Sequence, residues 1–261
     1  MTNALLTGYG LVESARWHDN RLWFASWGSG DIIAMTPDGT SEVATHVPTA
    51  PFQFCFDWLP DGRMVVMAGT EVLCDGSPYA DVSGVAKGWN EIVVSPRGDV
   101  YVNGSDFDFL GGGPFIPGVI ALVSPDGTVR QVADDIHFGN GMAVTPDGST
   151  LIVAESFARR LSAFDILPDG GLANRRVWAE VPGGVDGISL APDGTVWAAS
   201  MRNCVRVREG GEVVETVDSD RFCFSCALGG DTLYVLAAQW PGVENLAEVW
   251  GTGQVQATLV G

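Results

Sequence analysis

The 261-residue chain is short of positive charge: 14 Lys+Arg stand against 32 Asp+Glu, for a net charge of −18. Nucleic-acid binding needs clustered Lys and Arg to displace counterions from phosphate, and no basic stripe or tail is present, so nucleic acid is excluded as a partner. An anionic membrane surface is disfavoured for the same reason. No run of 18 apolar residues occurs, which argues against a membrane-spanning helix. The amino terminus, Met1-Thr2-Asn3-Ala4-Leu5-Leu6, lacks a basic segment followed by a long apolar one, and a soluble, cytoplasmic protein without a signal peptide is expected. Five cysteines (Cys55, Cys74, Cys204, Cys223 and Cys226) form an odd, sparse set that points to buried thiols in a reducing compartment. The Gly-x-Ser-x-Gly elbow of serine hydrolases is missing, as is His-Glu-x-x-His, and Gly111-Gly112-Gly113 lacks the Gly-Lys-Ser/Thr of a phosphate loop. Cys223-Phe224-Ser225-Cys226 has no partner Cys pair and reads as strand packing. No convincing helix is evident.

Glycine and proline, in contrast, are plentiful at 34 and 14 residues, and much of this content sits in one recurring phrase. A Pro-Asp-Gly type of turn is followed by an alternating apolar run, as in WLPDGRMVVMA from Trp58, VTPDGSTLIVAES from Val144 and LAPDGTVWAAS from Leu190. Asp-Gly supplies the turn dihedrals, while Val, Trp and Leu suit a pleated surface, so each phrase reads as strand, tight turn, strand. The central turn residues are Asn20, Gly62, Gly98, Gly148, Gly194 and Gly230, spaced 42, 36, 50, 46 and 36 apart. A second series of turns interleaves with them, at Asp38-Gly39, Asp75-Gly76, Asp126-Gly127, Asp169-Gly170 and Gly210-Gly211. Two hairpin turns per unit make four strands per unit, the signature of a propeller blade. The fold expected is all-β: a six-bladed β-propeller of four antiparallel strands per blade, forming a single domain over residues 1–261. Its ring is closed by amino- and carboxy-terminal strands in the last blade, because an unclosed ring leaves exposed edges. The segment Ser105 to Gly118, SDFDFLGGGPFIPG, is the main insertion, and loops of this length are usually functional or mobile.

In a propeller the innermost strand of each blade faces the central channel. The residues roughly eight positions before each central turn are Glu13, Phe54, Asn90, Asn140, Asp186 and Phe222, four of which carry oxygen ligands. Asn and Asp beside glycine are common turn formers, but a shared phase favours a common axis. Two carboxylates and two carboxamides, with no Cys or His among them, suit a hard cation such as Ca²⁺, Mg²⁺ or Mn²⁺. Without a cation, Glu13 and Asp186 would repel each other across a narrow channel.

The phrases carrying these residues, Glu13 followed by Trp17, NGMAVTPDGSTLIVAES from Asn140 and DGISLAPDGTVWAA from Asp186, resemble the SMP-30/gluconolactonase/luciferin-regenerating-enzyme family of six-bladed propellers. The resemblance spans essentially the whole chain. It implies a divalent metal held by the positions matching Glu13, Asn90, Asn140 and Asp186, and hydrolysis of lactones or related esters with Asp186 as general base. Calcium leads, with Zn²⁺, Mg²⁺ and Mn²⁺ as alternatives. Asn90 and Asn140 would hold the ion and could also donate N–H bonds to substrate oxygens. A metal-held carboxylate is a poor base, which leaves room for a second acid or base among His137, Asp106, Asp108, Glu91 and Glu155.

Members of the family acting on sugar lactones resemble one another in an arginine two residues before the position matching Asn90; here that residue is Gly88. Around the expected mouth stand aromatics instead: Trp27, Phe52, Phe54, Trp89, Phe107 and Phe109, joined by Phe115, Phe138, Phe157 and Phe222. Half of such a set can belong to packing between blades. Of these, Trp27, Phe54, Trp89, Phe138 and Phe222 are the expected substrate contacts, with Asn90 and Asp106. The expectation is therefore a metal-dependent lactonase or esterase for a small hydrophobic or aromatic substrate, monomeric or weakly self-associating. Two alternatives stay open: a non-hydrolytic isomerase, dehydratase or condensing enzyme using the same metal, and a non-catalytic metal-binding interaction module.

Overall fold

The computed structural model describes residues 2–47 and 53–261. Its architecture follows from one kind of turn. Leu59 and Arg63 close a three-residue connection through an N–H to carbonyl bond of 2.8 Å, and Gly62, at φ 87°, donates back to Leu59 at 2.9 Å. The Asp61 carboxylate accepts the Arg63 N–H at 3.1 Å. Proline sets the first turn residue, aspartate caps the backbone, and glycine takes the left-handed dihedrals that end the turn. The glycine bond recurs from Gly98 to Ser95, Gly148 to Thr145 and Gly194 to Ala191.

Such tight connections make strands that are adjacent in sequence adjacent in space, giving six four-stranded antiparallel sheets. Blades I to V occupy residues 11–46, 54–81, 88–136, 139–180 and 188–218, and blade VI is built from both ends of the described chain. The first strand of each blade meets its counterparts around the axis: Leu11–His18, Phe54–Trp58, Gly88–Val94, Gly139–Val144, Ile188–Leu190 and Phe222–Gly229. In blade VI the order outward from the axis is Phe222–Gly229, Thr232–Ala238, Gly253–Leu259 and Asn3–Tyr9. The carboxy-terminal strand is thus third, and the amino-terminal strand covers its outer edge, pairing Ala4 with Gln256. Among the described residues the one helical segment is a 3-10 stretch, Val243–Val249, and no helix is long and apolar enough to cross a membrane. All five cysteines are free thiols and buried.

The apolar residues of the strands alternate toward the seams between blades, so the core is a ring of wedges around the channel. One wedge joins Cys55, Met67 and Val72 of blade II to Ile92, Val102 and Ala121 of blade III, and another joins Ile152 and Leu161 of blade IV to Val196 and Val205 of blade V. At the seam that closes the ring, Trp17 of blade I stacks on Tyr234 of blade VI with ring centroids 5.4 Å apart. Gly229 makes room for that indole: a Cβ there would stand 2.4 Å from the Trp17 ring. Overpacking a rigid core costs about 1–3 kcal/mol. With roughly 2–4 °C per kcal/mol for a chain of this size, Gly229→Ala should lower the melting temperature by roughly 2–12 °C, and Trp17→Leu in the same chain should recover part of the loss. A thermal melt in which Gly229→Ala is neutral would contradict this closure.

Candidate metal and active site

The inner strands are not regular where they approach the channel mouth. In blade I the pairing passes from Glu13 opposite Ala25 to Arg16 opposite Trp23, so Ser14 and Ala15 face a single partner residue. In blade III the extra residue is Asn90, between Trp89 and Glu91. In blade IV Asn140 and Gly141, between Gly139 and Met142, together face the single residue Ala154. Asp186 lies just before the short inner strand of blade V, fixed by its N–H to Ala199 at 2.9 Å and by the Gly187 N–H to Phe224 at 2.8 Å. A bulge bends a strand and re-aims the side chain it carries, so each oxygen donor sits at or beside an irregularity that turns it toward the axis. Blade II, whose inner strand pairs without interruption, carries Phe54 at this phase. Close approach of the blades IV and V backbones demands glycine: a Cβ on Gly141 would stand 2.5 Å from the Ile188 nitrogen.

Glu13, Asn90, Asn140 and Asp186 line one axial cavity of about 200 Å³. Hydrogen bonding orients the carboxamides. Asn90 donates its Nδ2–H to the Gly139 carbonyl at 3.0 Å, an atom that can only accept. Asn140 donates Nδ2–H to Ser156 Oγ at 3.5 Å, and that hydroxyl in turn donates to the Val185 carbonyl at 2.6 Å. The Asn90 nitrogen thus faces protein, which leaves its Oδ1 for a ligand, whereas the Asn140 amide also hydrogen-bonds the Asp186 carboxyl. Asp186 Oδ1 is buried with no hydrogen-bond partner. An ionised oxygen in that state is costly to bury unless a cation meets it. Among the described residues no three His, Cys, Asp or Glu side chains gather to hold a metal by themselves, so the set depends on its two carboxamide oxygens. Two carboxylates and two amide oxygens fit a hard divalent cation.

Burial, followed by the charges of Asp186 and Glu91, holds the Glu13 carboxyl well above the usual carboxylate range. Burial and the charge of Glu91 do the same for Asp186, opposed by the Asn140 amide. Glu91 is itself compensated: its Oε1 accepts Arg16 Nη2–H at 2.9 Å, Ser14 Oγ–H at 3.1 Å and the Ile92 N–H at 2.9 Å. Arg16 also donates to the Ile92 carbonyl at 2.7 Å. Ser14 reaches Glu91 from the left-handed region, at φ 54°, a conformation its bulge imposes. The Arg16–Glu91 pair was legible only as two charges in otherwise apolar phrases, and its pairing across 75 residues had no local signal.

The rest of the cavity is largely carbon. Trp27, Phe222 and Phe138 line it, together with Leu11, Phe224 and Trp240. Trp89 is 5% exposed and forms a wall of an adjoining pocket instead. Phe54 packs into the core between blades I and II, and its carbonyl accepts the Trp27 indole N–H at 2.8 Å. Asp106 is exposed and lines neither pocket; its Oδ1 accepts the Lys87 N–H at 2.9 Å and so ties the inserted loop to the blade. His137 also lies outside the cavity, with its Nε2 3.2 Å from Asp135 and its ring beside Phe115. Chain alternation explains its place: Phe138 turns inward at φ 59°, which leaves the preceding ring outside. Phe52 falls outside the described residues. Glu155 is fully buried and anchors the 135–138 turn. Burial would raise its pKa, but bonds from Ser162, the His137 N–H, Arg160 and Arg175 outweigh this and hold it down at about 2.

The family described as SMP-30/Gluconolactonase/LRE-like region matches residues 11–239. Pentonolactonase XacC of Haloferax volcanii is 30% identical over 178 residues, 61% of this chain and 56% of that protein. Diisopropyl-fluorophosphatase of Loligo vulgaris is 34% identical over 91 residues, 32% of this chain and 29% of that protein. The chain thus spans just over half of the first relative and under a third of the second. A solved luciferin-regenerating enzyme superposes with a TM-score of 0.78 at 20% identity, covering 100% of this chain and 95% of its own. A regucalcin from Agrobacterium tumefaciens, called a calcium-binding protein, does so with a TM-score of 0.78 at 18% identity, covering 98% and 92%.

Raised carboxyl pKa values have a definite sign in stability. The folded state keeps protons on Glu13 and Asp186 that the unfolded chain releases above about pH 4, so stability of the chelator-treated protein falls as pH rises from there through the raised folded values. A cation at 100 times its Kd adds about 2.7 kcal/mol, or roughly 5–10 °C in melting temperature, and should flatten this slope. Glu13→Gln should lose most of the cation shift. Melts at pH 5 and pH 8, with chelator or with excess Ca²⁺, Mg²⁺ or Mn²⁺, check this, and no shift with any of the three would contradict the site.

Proposed function

Because the chain belongs to the SMP-30/gluconolactonase/LRE-like family, we propose that it is a divalent-cation-dependent hydrolase of small lactones or related esters, with preference for hydrophobic or aromatic substrates. The observation that carries this reading is the convergence of Glu13, Asn90, Asn140 and Asp186 on one cavity in which Asp186 Oδ1 is buried without a donor. Calcium suits the all-oxygen donors best. When bound, a divalent cation supplies the positive charge that polarises an ester carbonyl and favours deprotonation of water.

The chain's own residues do the remainder. Glu13 and Asp186 provide the two negative charges, and the Asn90 and Asn140 carbonyl ends complete the cradle. With Oδ1 toward the cation, the Asp186 carboxylate would take the proton from water attacking a carbonyl in the cavity. Trp27, Phe222, Phe224 and Trp240 exclude bulk water and offer apolar contact. Gly88 provides no guanidinium to recognise a polyol, and the neighbouring Lys87 is exposed with a point charge that cannot copy a bidentate fork. The relatives' names mention a pentonolactone and diisopropyl fluorophosphate. The lining here favours the less hydrated kind of substrate.

Asp186→Asn preserves shape and removes the negative charge, and should lower kcat by about 10²–10⁴, as expected for loss of a positioned base. In the wild-type protein, kcat/KM for dihydrocoumarin should exceed that for glucono-δ-lactone by at least roughly tenfold, the effect of about 1.4 kcal/mol of apolar contact. Preference for the sugar lactone, or full activity in Asp186→Asn, would contradict the proposal.

A further inference from the structure

Beside the axial cavity lies a second pocket of about 160 Å³, between the start of the blade III inner strand and the inserted loop of residues 106–117. The two spaces share Gln53, Asn90, Phe109, Leu110 and Phe138, so a molecule occupying both would pass Asn90. Aromatic rings form part of the wall of the side pocket, beside Gln53, Asn90, Ser105 and Asp108. Trp89 is locked by its indole N–H to the Ala86 carbonyl at 3.1 Å. Phe107 meets Phe109 at 6.1 Å and Phe138 at 6.2 Å, both edge to face, and Phe109 lies 5.1 Å from Phe138. Offset and edge-to-face contacts are what aromatic rings prefer, so a further ring extends this arrangement at little cost.

Two of the polar groups in the lining are already bonded within the loop. Asp108 Oδ1 accepts the Gly111 N–H at 2.7 Å, and Ser105 Oγ accepts the Phe107 N–H at 3.1 Å. These bonds hold the loop in shape around the space. The backbone beside them is bare for a geometric reason: a Cβ on Gly104 would stand 2.7 Å from the Trp89 ring, and one on Gly88 2.9 Å from the Ser105 carbonyl. In size alone, the pocket has room for one aryl ring.

We propose that this side pocket is a substrate subsite for a single aryl group, carried by a lactone or ester whose reacting carbonyl lies in the axial cavity beside Asn90. The assignment rests on the hydrolase reading and names the substrate class within it. Phe107 is then a specificity-determining residue on the inserted loop.

The test compares γ-butyrolactones carrying a benzyl group, a hexyl group or no substituent at the α-carbon. Wild-type kcat/KM should favour benzyl over both others by about tenfold, and Phe107→Ala should lower the benzyl-to-unsubstituted ratio by roughly the same factor, while Phe107→Tyr retains it. Taking the ratio within each variant removes differences in folded fraction. Phenylacetamide, which is not a lactone, gives a readout independent of turnover: its ring protons should show saturation transfer from the protein, and this should be lost in Phe107→Ala. Hydrolysis without benzyl preference, or with a preference that Phe107→Ala leaves intact, would overturn the subsite and leave the hydrolase reading standing. Absence of lactone hydrolysis with Phe107-dependent binding of phenylacetamide would uphold the subsite and remove the hydrolase reading. Absence of both would overturn the two together.

Discussion

Concentrated negative charge on a narrow axis is the constraint on which the rest of this molecule depends. Six first strands converge there, and they bring Glu13, Glu91 and Asp186 into a region from which water is largely removed. Arg16 compensates Glu91 through a direct ion pair of 2.9 Å, which leaves Glu13 and Asp186 to share what balance remains. Buried carboxylates of like charge either hold protons or share a cation. The Asn90 nitrogen, bonded to the Gly139 carbonyl, leaves its oxygen end for a cation, while the Asn140 amide partly offsets the Asp186 charge.

This charge is placed by backbone irregularity. Blades I, III and IV interrupt their inner ladders at or beside the donor, and blade V begins its inner strand two residues after Asp186. Blade II keeps an unbroken ladder and presents Phe54 to the core. Irregular pairing on the inner strand thus separates donor-bearing blades I, III and IV from blade II. Blade VI is bulged as well, at Phe224, and there the irregularity delivers an aromatic wall. One structural device therefore provides both the polar cradle and part of its apolar surround.

Much of this was legible in the sequence because it depends on local chemistry. The Pro-Asp-Gly turns carry their own dihedral requirements, and their spacing revealed four strands per blade; the turn residues Gly62, Gly98, Gly148 and Gly194 all take positive φ. Of the six residues at the shared phase, Glu13, Asn90, Asn140, Asp186 and Phe222 line the axial cavity, since a fixed distance from turn to channel holds when blades repeat. What the count could not give was side-chain direction near irregular backbone. His137 is adjacent to Phe138 yet faces away, because two left-handed residues, Asp135 and Phe138, bracket the turn. Phe54 shares the phase of the donors but lies on a regular strand and enters the core. Long-range pairings such as Arg16 with Glu91 depend on ring closure, which no window of sequence contains.

The most direct test of the account is a crystal structure of the wild-type protein grown with Mn²⁺, with the metal located by its anomalous signal. The account predicts a single peak on the axis, within about 2.0–2.6 Å of oxygens from Glu13, Asn90, Asn140 and Asp186. A peak elsewhere, or an axis bearing no peak, would contradict it.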